Sequence, residues 1–403
     1  MQRGRLLVGQ AGGATAVINA TLVGVVEEAQ RAGYASVWGM RRGVEGALQG
    51  ELIDLTALSP DRLQTLAGTP GAALGATRMK VSDEHLDRLI DLCVAHEIDA
   101  FLYVGGNDSA DTSHRLAREA TARGSDLKVI AVPKTIDNDL PVTDHSPGYG
   151  SIARYVAVST MDSAKDTESM PTMYPVKFIE VMGRDAGWVV AAATLGKQDP
   201  QDAPHLIYLP ERPVSHEELV RDVERVYREY GRVVAVVAET IRDRAGEPFA
   251  DPSLSADRDA FGHALLRGAA DTMVRLVQRE LGLRARFDKP GSLQRMSATL
   301  VSSVDLAESR AVGRAAVRLA AGGESDRMVT IIRESEDPYS WATGSAPLEL
   351  IANRQWLLPD AFLTVDGRGT TQPFHDYALP LLGPDPFPTY GRIDDMPSVV
   401  QAE

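Results

Sequence analysis

Two apolar runs that break off into polar, glycine-bearing loops constrain this chain most. Ala100-Phe101-Leu102-Tyr103-Val104 stops at Gly105-Gly106-Asn107-Asp108-Ser109, and Val129-Ile130-Ala131-Val132 stops at Pro133-Lys134-Thr135-Ile136-Asp137-Asn138-Asp139. A short run that is apolar at every position suits a strand buried on both faces, the pattern of a parallel sheet. Open α/β sheets gather their ligands at the carboxyl ends of such strands. Glycine there lets backbone approach phosphate closely, and carboxylates can hold Mg²⁺ or take a proton. Two such loops, one carrying a lysine, point to a phosphoryl-transfer site.

The rest of the chain repeats the theme. Strands are expected at 5–10, 37–40, 100–105, 129–133, 176–182, 206–209 and 233–238. Helical patterns lie between them at 14–32, 82–96, 216–230 and 258–281. Strands alternating with helices imply parallel sheets covered on both faces. The Asp-, Gly-, Pro- and Ser-rich stretch 242–258 reads as a surface loop. From Asp337 onward periodicity fades, so that part is expected to wrap the body, with its last residues loosely held.

A chain of 403 residues suits two domains. Its 44% hydrophobic content supplies a large core without disulfides. The single cysteine, Cys93, falls on the apolar stripe Leu86, Leu89, Ile90, Val94 and reads as a core residue. One cysteine and no signal-like start point to a reducing, cytoplasmic setting. No apolar run approaches the roughly 18 residues of a membrane helix, so no membrane partner is expected. The net charge of −14 argues against a nucleic-acid partner. It does not argue against an anionic substrate, because a local cluster of Arg and Lys can bind phosphate inside an acidic protein.

Further loops belong with the first two. Gly9-Gln10-Ala11-Gly12-Gly13 precedes a helix and suits a phosphate cradle or a tight turn. It is neither a P-loop nor a dinucleotide fingerprint. Arg78 follows the small residues Gly75-Ala76-Thr77 and suits a cleft or a solvated surface. Glu180-Val181-Met182-Gly183-Arg184-Asp185-Ala186-Gly187-Trp188 runs from a strand into a helix entry. Glu239 ends the run that starts at Val233. Arg284, Arg286 and Arg295 form a basic stretch that suits a phosphate or open solvent.

Together these segments, in this order from Leu6 to about Gly322, resemble the phosphofructokinase family. The resemblance implies an α/β fold of two Rossmann-like three-layer domains with mostly parallel sheets and the active site in the cleft between them. It implies a donor domain of residues 1–148 plus about 294–350, a sugar-phosphate domain of 149–293 and a C-terminal extension of 351–403. Asp108 and Lys134 stand where the pyrophosphate-using members carry an acid and a lysine, so the implied donor is pyrophosphate. The implied reaction is reversible transfer to the 1-hydroxyl of fructose 6-phosphate.

Carried over by position, Asp137 is the catalytic base, with Lys134 and Thr135 beside it. Mg²⁺ and Lys134 are expected to keep Asp137 ionised at neutral pH. Gly12, Arg78, Asp108 and Ser109 bind the donor. Thr135, Asp137, Met182, Gly183, Arg184, Glu239, Arg286 and Arg295 bind the substrate. Asp108 and Asn107 hold the Mg²⁺ cofactor. Arg286 reaches across a subunit interface, which implies a homodimer or homotetramer with a shared site. Three positions depart from the family. Asn107 replaces a metal-linked acid, Ser292 a histidine of the sugar-phosphate pocket, and Pro175 a second arginine from the neighbouring subunit, with Lys177 nearby as a substitute. The alternatives are another acceptor such as sedoheptulose 7-phosphate, or a non-catalytic subunit that only binds sugar phosphates.

Overall fold

The computed structural model describes residues 3–249 and 268–393. The chain runs β1 (Arg3–Gln10), α1 (Ile18–Arg31), β2 (Tyr34–Met40), α2 (Gly43–Leu48), β3 (Leu52–Asp54), α3 (Pro60–Ala67), α4 (Asp83–Ala95), β4 (Ile98–Gly105), α5 (Asn107–Ala122) and β5 (Lys128–Pro133). It continues through α6 (Tyr149–Glu168), β6 (Val176–Val181), α7 (Trp188–Ala192), β7 (Leu206–Tyr208), α8 (His216–Tyr230), β8 (Val233–Ala238), α9 (Ala269–Leu281) and β9 (Ala285–Asp288). Then follow α10 (Ser303–Ala321), β10 (Arg327–Glu336), β11 (Tyr339–Pro347) and α11 (Gln372–Ala378).

The strands form two sheets. One has seven strands in the order β11-β10-β5-β4-β1-β2-β3, and the other has four in the order β7-β8-β6-β9. The smaller sheet is parallel throughout. The larger is parallel from β10 to β2, with β11 and β3 antiparallel at its edges. Each sheet is covered on both faces. On the larger one, α1, α3 and α10 pack on one side and α4 and α5 on the other. On the smaller one, α6 and α7 cover one face and α8 and α9 the other. This is why β4 and β8 are apolar throughout their cores: neither side meets water.

Helices α1 and α10 cross backbone to backbone. A Cβ on Gly24 would lie 2.0 Å from the Arg310 carbonyl oxygen, and one on Gly313 would lie 2.1 Å from that of Thr21. That contact fixes α10 against the helix that leaves the glycine loop after β1. Asp305 of α10 then accepts from Gly148 N at 2.8 Å and Ser151 N at 2.9 Å, tying down the start of α6.

Two expectations change. Residues 327–347 are a hairpin, β10–β11, that extends the larger sheet, so regular structure continues past Asp337. Its outer strand, Tyr-Ser-Trp-Ala-Thr-Gly-Ser-Ala-Pro, is partly solvated and carries no apolar run, which hid it. The chain beyond it is also more than a wrapping, because Phe374, Leu381 and Leu382 are buried in the core between α6 and α7. Of the helix expected at 258–281, the structure describes Ala269–Leu281; the remainder lies outside the described residues, as do the final residues 394–403. Among the described residues, no helix is long and apolar enough to cross a membrane.

Candidate active site

Strand β1 lies between β4 and β2. The chain leaving β1 turns one way through α1, and the chain leaving β4 turns the other way through α5 toward β5. A crevice opens where the winding reverses. It is part of a cleft of about 950 Å³ that runs from the glycine loop after β1 to Glu239 at the end of β8.

The first wall is packed tightly. Gly12 has φ +71°, the left-handed region that favours glycine, and its N–H donates to the Thr77 carbonyl at 3.1 Å. This places Arg78 in the cleft beside it. Lys134 is only 4% exposed, and its ammonium donates to the Gly13 carbonyl at 2.7 Å. Ser109 is buried against Gly105, where a Cβ would lie 2.1 Å from the serine hydroxyl. Asp108 sits exposed in the first turn of α5 and lines the cleft. The N-cap of α5, Gly106, has no side chain to cap the helix, a terminus suited to an anion.

The second wall carries the acid–base groups. Asp137 N donates to the Thr135 hydroxyl at 3.1 Å, which turns the base loop inward. Arg184 Nε stands 4.0 Å from Asp137 Oδ2 across the cleft. Arg184 has φ +47°, a costly conformation for a side-chain-bearing residue, and Gly183 before it has φ +144°. The tight turn aims Arg184 at Asp137 rather than along the β6 direction.

Burial pushes Asp137 up to about 7, with Asp139 and Glu239 adding repulsion and Arg184 and Lys134 opposing it. Burial likewise raises Asp139. In the ligand-free cleft the loss of water outweighs the two cations and works against the ionisation expected of Asp137. Burial lowers Lys134 to about 8, with Asp137 opposing the shift and Arg295, Arg184 and Arg78 reinforcing it.

A carboxylate near neutrality, facing a buried lysine and three arginines beside a helix N-terminus, suits proton abstraction coupled to phosphate transfer. The family model for phosphofructokinase matches residues 5–320. The chain belongs to the phosphofructokinase family. It is 42% identical to the pyrophosphate–fructose 6-phosphate 1-phosphotransferase of Xanthomonas campestris, over 99% of this chain and 96% of that protein. The enzyme of the same name from Halomonas elongata is 39% identical, over 94% of this chain and 92% of that protein. The crystal structure of the pyrophosphate-dependent phosphofructokinase of Marinobacter aquaeolei superposes with a TM-score of 0.86 at 37% identity, covering 98% of this chain and 95% of that one.

The other positions that this family suggests fall in two groups. Met182, Glu239, Ser292 and Arg295 line the cleft. Met182 N donates to Gln294 Oε1 at 3.1 Å, which joins the end of β6 to the turn after β9. Arg295 reaches further than a remote sugar site requires: its guanidinium packs over the glycine loop, where a Cβ on Gly13 would lie 2.2 Å from Nη1. Arg286 does not line the cleft of its own chain; it pairs with Asp166 and lies 5.1 Å over the Tyr174 ring. Lys177 also lies outside the cleft of its own chain. It is buried in ion pairs with Asp166 at 2.6 Å and Asp288 at 3.2 Å.

Cleft residues beyond the expected site residues include Lys289, Asn353 and Gln355. Lys289 pairs with the fully buried Glu180, whose other oxygen accepts from Ala270 N at 3.0 Å. Asn353 and Gln355 come from the C-terminal segment. The only signal for Lys289 was a polar loop after a four-residue strand. Gln355 lies in a stretch without periodicity, and nothing local marks it.

Proposed function

We propose that this protein is a pyrophosphate-dependent 6-phosphofructokinase, transferring a phosphoryl group reversibly from pyrophosphate to the 1-hydroxyl of fructose 6-phosphate. The observation that carries the reading is Asp108 in the first turn of α5, facing a cleft that also holds the buried Lys134. An acid there fills space and adds negative charge where a nucleotide's extra phosphate would run. A lysine held on the Gly13 carbonyl offers a fixed cation for the short donor and for the leaving phosphate.

The chain's own groups then divide the work. The α5 N-terminus, Gly12, Arg78 and Ser109 hold the donor. Asp137, kept near neutrality by burial, takes the proton of the attacking hydroxyl. Thr135 and Arg184 orient the transferring group. Met182, Gly183, Glu239 and Arg295 hold the sugar, with Arg286 supplied by a neighbouring subunit of a homodimer or homotetramer. Support for that last role is the position of Arg286 outside its own cleft.

Among the described residues, no group of three or more His, Cys, Asp or Glu is arranged to hold a metal ion. Mg²⁺ commonly binds through one or two carboxylates plus substrate phosphates, and the exposed Asp108 carboxylate fits that pattern. When bound there, Mg²⁺ would offset the charge of pyrophosphate. Asn107 fits the role less well, for its amide is already engaged at both ends.

The two sheets support the division proposed above. The donor unit, 1–148 plus about 294–350, contains the larger sheet; the sugar-phosphate unit, 149–293, contains the smaller; residues 351–403 extend from them. The setting proposed is cytoplasmic.

Ser292 and Pro175 favour one second reading, that the acceptor is a different sugar phosphate such as sedoheptulose 7-phosphate. Activity with pyrophosphate and with ATP, each crossed with several sugar phosphates, tests both. Equal or faster turnover with ATP would sink the donor assignment. No turnover with any acceptor would favour a binding-only subunit.

A further inference from the structure

The segment after β11 touches both halves of the cleft through hydrogen bonds that hold site loops rather than substrate. Asn107, first residue of α5, grips it with both ends of its amide. Its Oδ1 accepts from Asn353 N at 2.7 Å, and its Nδ2 donates to the Arg354 carbonyl. Only an amide side chain accepts and donates in this way; a carboxylate at 107 would face the Arg354 oxygen with negative charge. Asn353 holds a left-handed backbone, φ +59°, and its own amide donates to Asp111 Oδ1 at 2.7 Å, one turn further along α5.

Two residues on, the same segment reaches the base loop. Trp356 N donates to the Asp139 carbonyl at 2.8 Å, and the Gln355 side chain hydrogen-bonds the Asp139 carboxylate. Trp356 then accepts from Trp188 Nε1 at 3.0 Å, at the start of α7. Four consecutive residues thus join the N-terminus of α5, the loop of Asp137 and the helix entry that follows Arg184.

We infer that residues 353–356 are a strap that sets the donor and base loops in register, with Asn107 as its latch: a positioning residue and not a metal ligand. The strap's effect on rate rests on the phosphoryl-transfer reading of the cleft, whereas its docking does not.

The test uses the full-length protein with Asn107→Ala, Asn107→Asp and Gln355→Ala. Three quantities are measured: hydrogen exchange at the Asn353 and Trp356 amides, kcat with KM for each substrate, and the Mg²⁺ concentration for half-maximal rate. Asn107→Ala should speed exchange at both amides. It should lower kcat by up to about 100-fold, as misplaced catalytic groups do, with little change in the fructose 6-phosphate KM. Asn107→Asp should do the same without lowering the Mg²⁺ requirement. An Asn107→Asp enzyme that keeps its kcat and needs less Mg²⁺ would make the residue a ligand and overturn the latch. Parental exchange and kcat in Asn107→Ala would overturn it too. If the Asn107 variants fail to fold, Gln355→Ala decides, since that side chain is exposed. It should melt as the parent does and lose kcat severalfold, and an unchanged kcat would refute the strap. An inactive parent would fail the proposed function alone, because the exchange measurements still judge the latch.

Discussion

The donor half and the acceptor half of the cleft are built differently. Donor groups hang from the ends of β1, β4 and β5, adjacent strands of one sheet, and are packed in place: Lys134, Ser109 and Thr135 are each less than 10% exposed. On the acceptor side the cleft cation Lys289 is already taken by Glu180, and outside the cleft Arg286 pairs with Asp166 and Lys177 with Asp166 and Asp288. A preorganised half contributes to rate, since its groups need no rearrangement as charge develops. A charge-compensated half contributes to selectivity, since a substrate must compete with existing ion pairs. Donor-side substitutions should therefore lower kcat, and acceptor-side ones should mainly raise KM or change the preferred sugar.

The largest expected effect is at the base. Asp137→Asn should lower kcat by about 10²–10⁴-fold with both KM values within a few-fold of the parent. A loss below about tenfold would move the base elsewhere. The pH profile of the parent sharpens the assignment. The ionised carboxylate is the active form, so kcat/KM should fall as pH drops through about 7. Lys134 acts as a cation, so kcat/KM should fall again as pH rises through about 8. A profile flat between pH 6 and 9 would break both assignments.

Next comes Lys134→Met, which removes the donor-side cation. It should cost about 10²–10³-fold in kcat, the scale seen when one preorganised charge-stabilising donor is lost. The sugar-phosphate KM should stay near the parental value. A change confined to that KM would put Lys134 on the wrong side of the comparison.

Arg295 tests where the two halves meet. A charge-assisted arginine–phosphate bond is worth roughly 1.5–3 kcal/mol, or about one to two decades in KM. Because its guanidinium packs over Gly13, Arg295→Ala should raise the KM of pyrophosphate as well as that of the sugar. Lys289→Met should raise only the sugar KM, and by less. Steady-state kinetics with each substrate varied in turn separates the cases; an Arg295 effect on the sugar alone would restore a sharp border between the halves.

The donor half was legible because its signals are local. Strands β4 and β5 announce themselves by unbroken apolar runs, and the chemistry follows within a few residues. Part of the acceptor half, from Lys289 to Arg295, depends on β9, Ala-Arg-Phe-Asp, which is too short and too polar to stand out. The C-terminal segment was illegible for another reason. Its contacts are distant in sequence, as in the 2.9 Å hydrogen bond from Asn138 Nδ2 to the Tyr377 hydroxyl, 239 residues away. Nor does sequence reveal the state of Asp137, which depends on burial and on Glu239 from the other sheet.

The last prediction concerns stability, and it separates a group placed for catalysis from one placed for folding. The Asp137 carboxyl is raised from 3.8 to about 7 in the folded protein. Between those values the folded state holds a proton that the unfolded state has released. Stability must then fall as pH rises across that window and stay low above it. Burial outweighs the help from Lys134 and Arg184, so the ionised base is a net strain on the ligand-free fold. Asp137→Asn, neutral at every pH, removes that strain. One pKa unit corresponds to about 1.4 kcal/mol, so the gain is of the order of a few kcal/mol and a few degrees in Tm. The variant should melt higher than the parent at pH 8 without substrates, and the difference should vanish toward pH 4. A gain independent of pH would trace to packing instead of charge, and a lower Tm at pH 8 would mean that Lys134 and Arg184 need the Asp137 anion more than its burial costs.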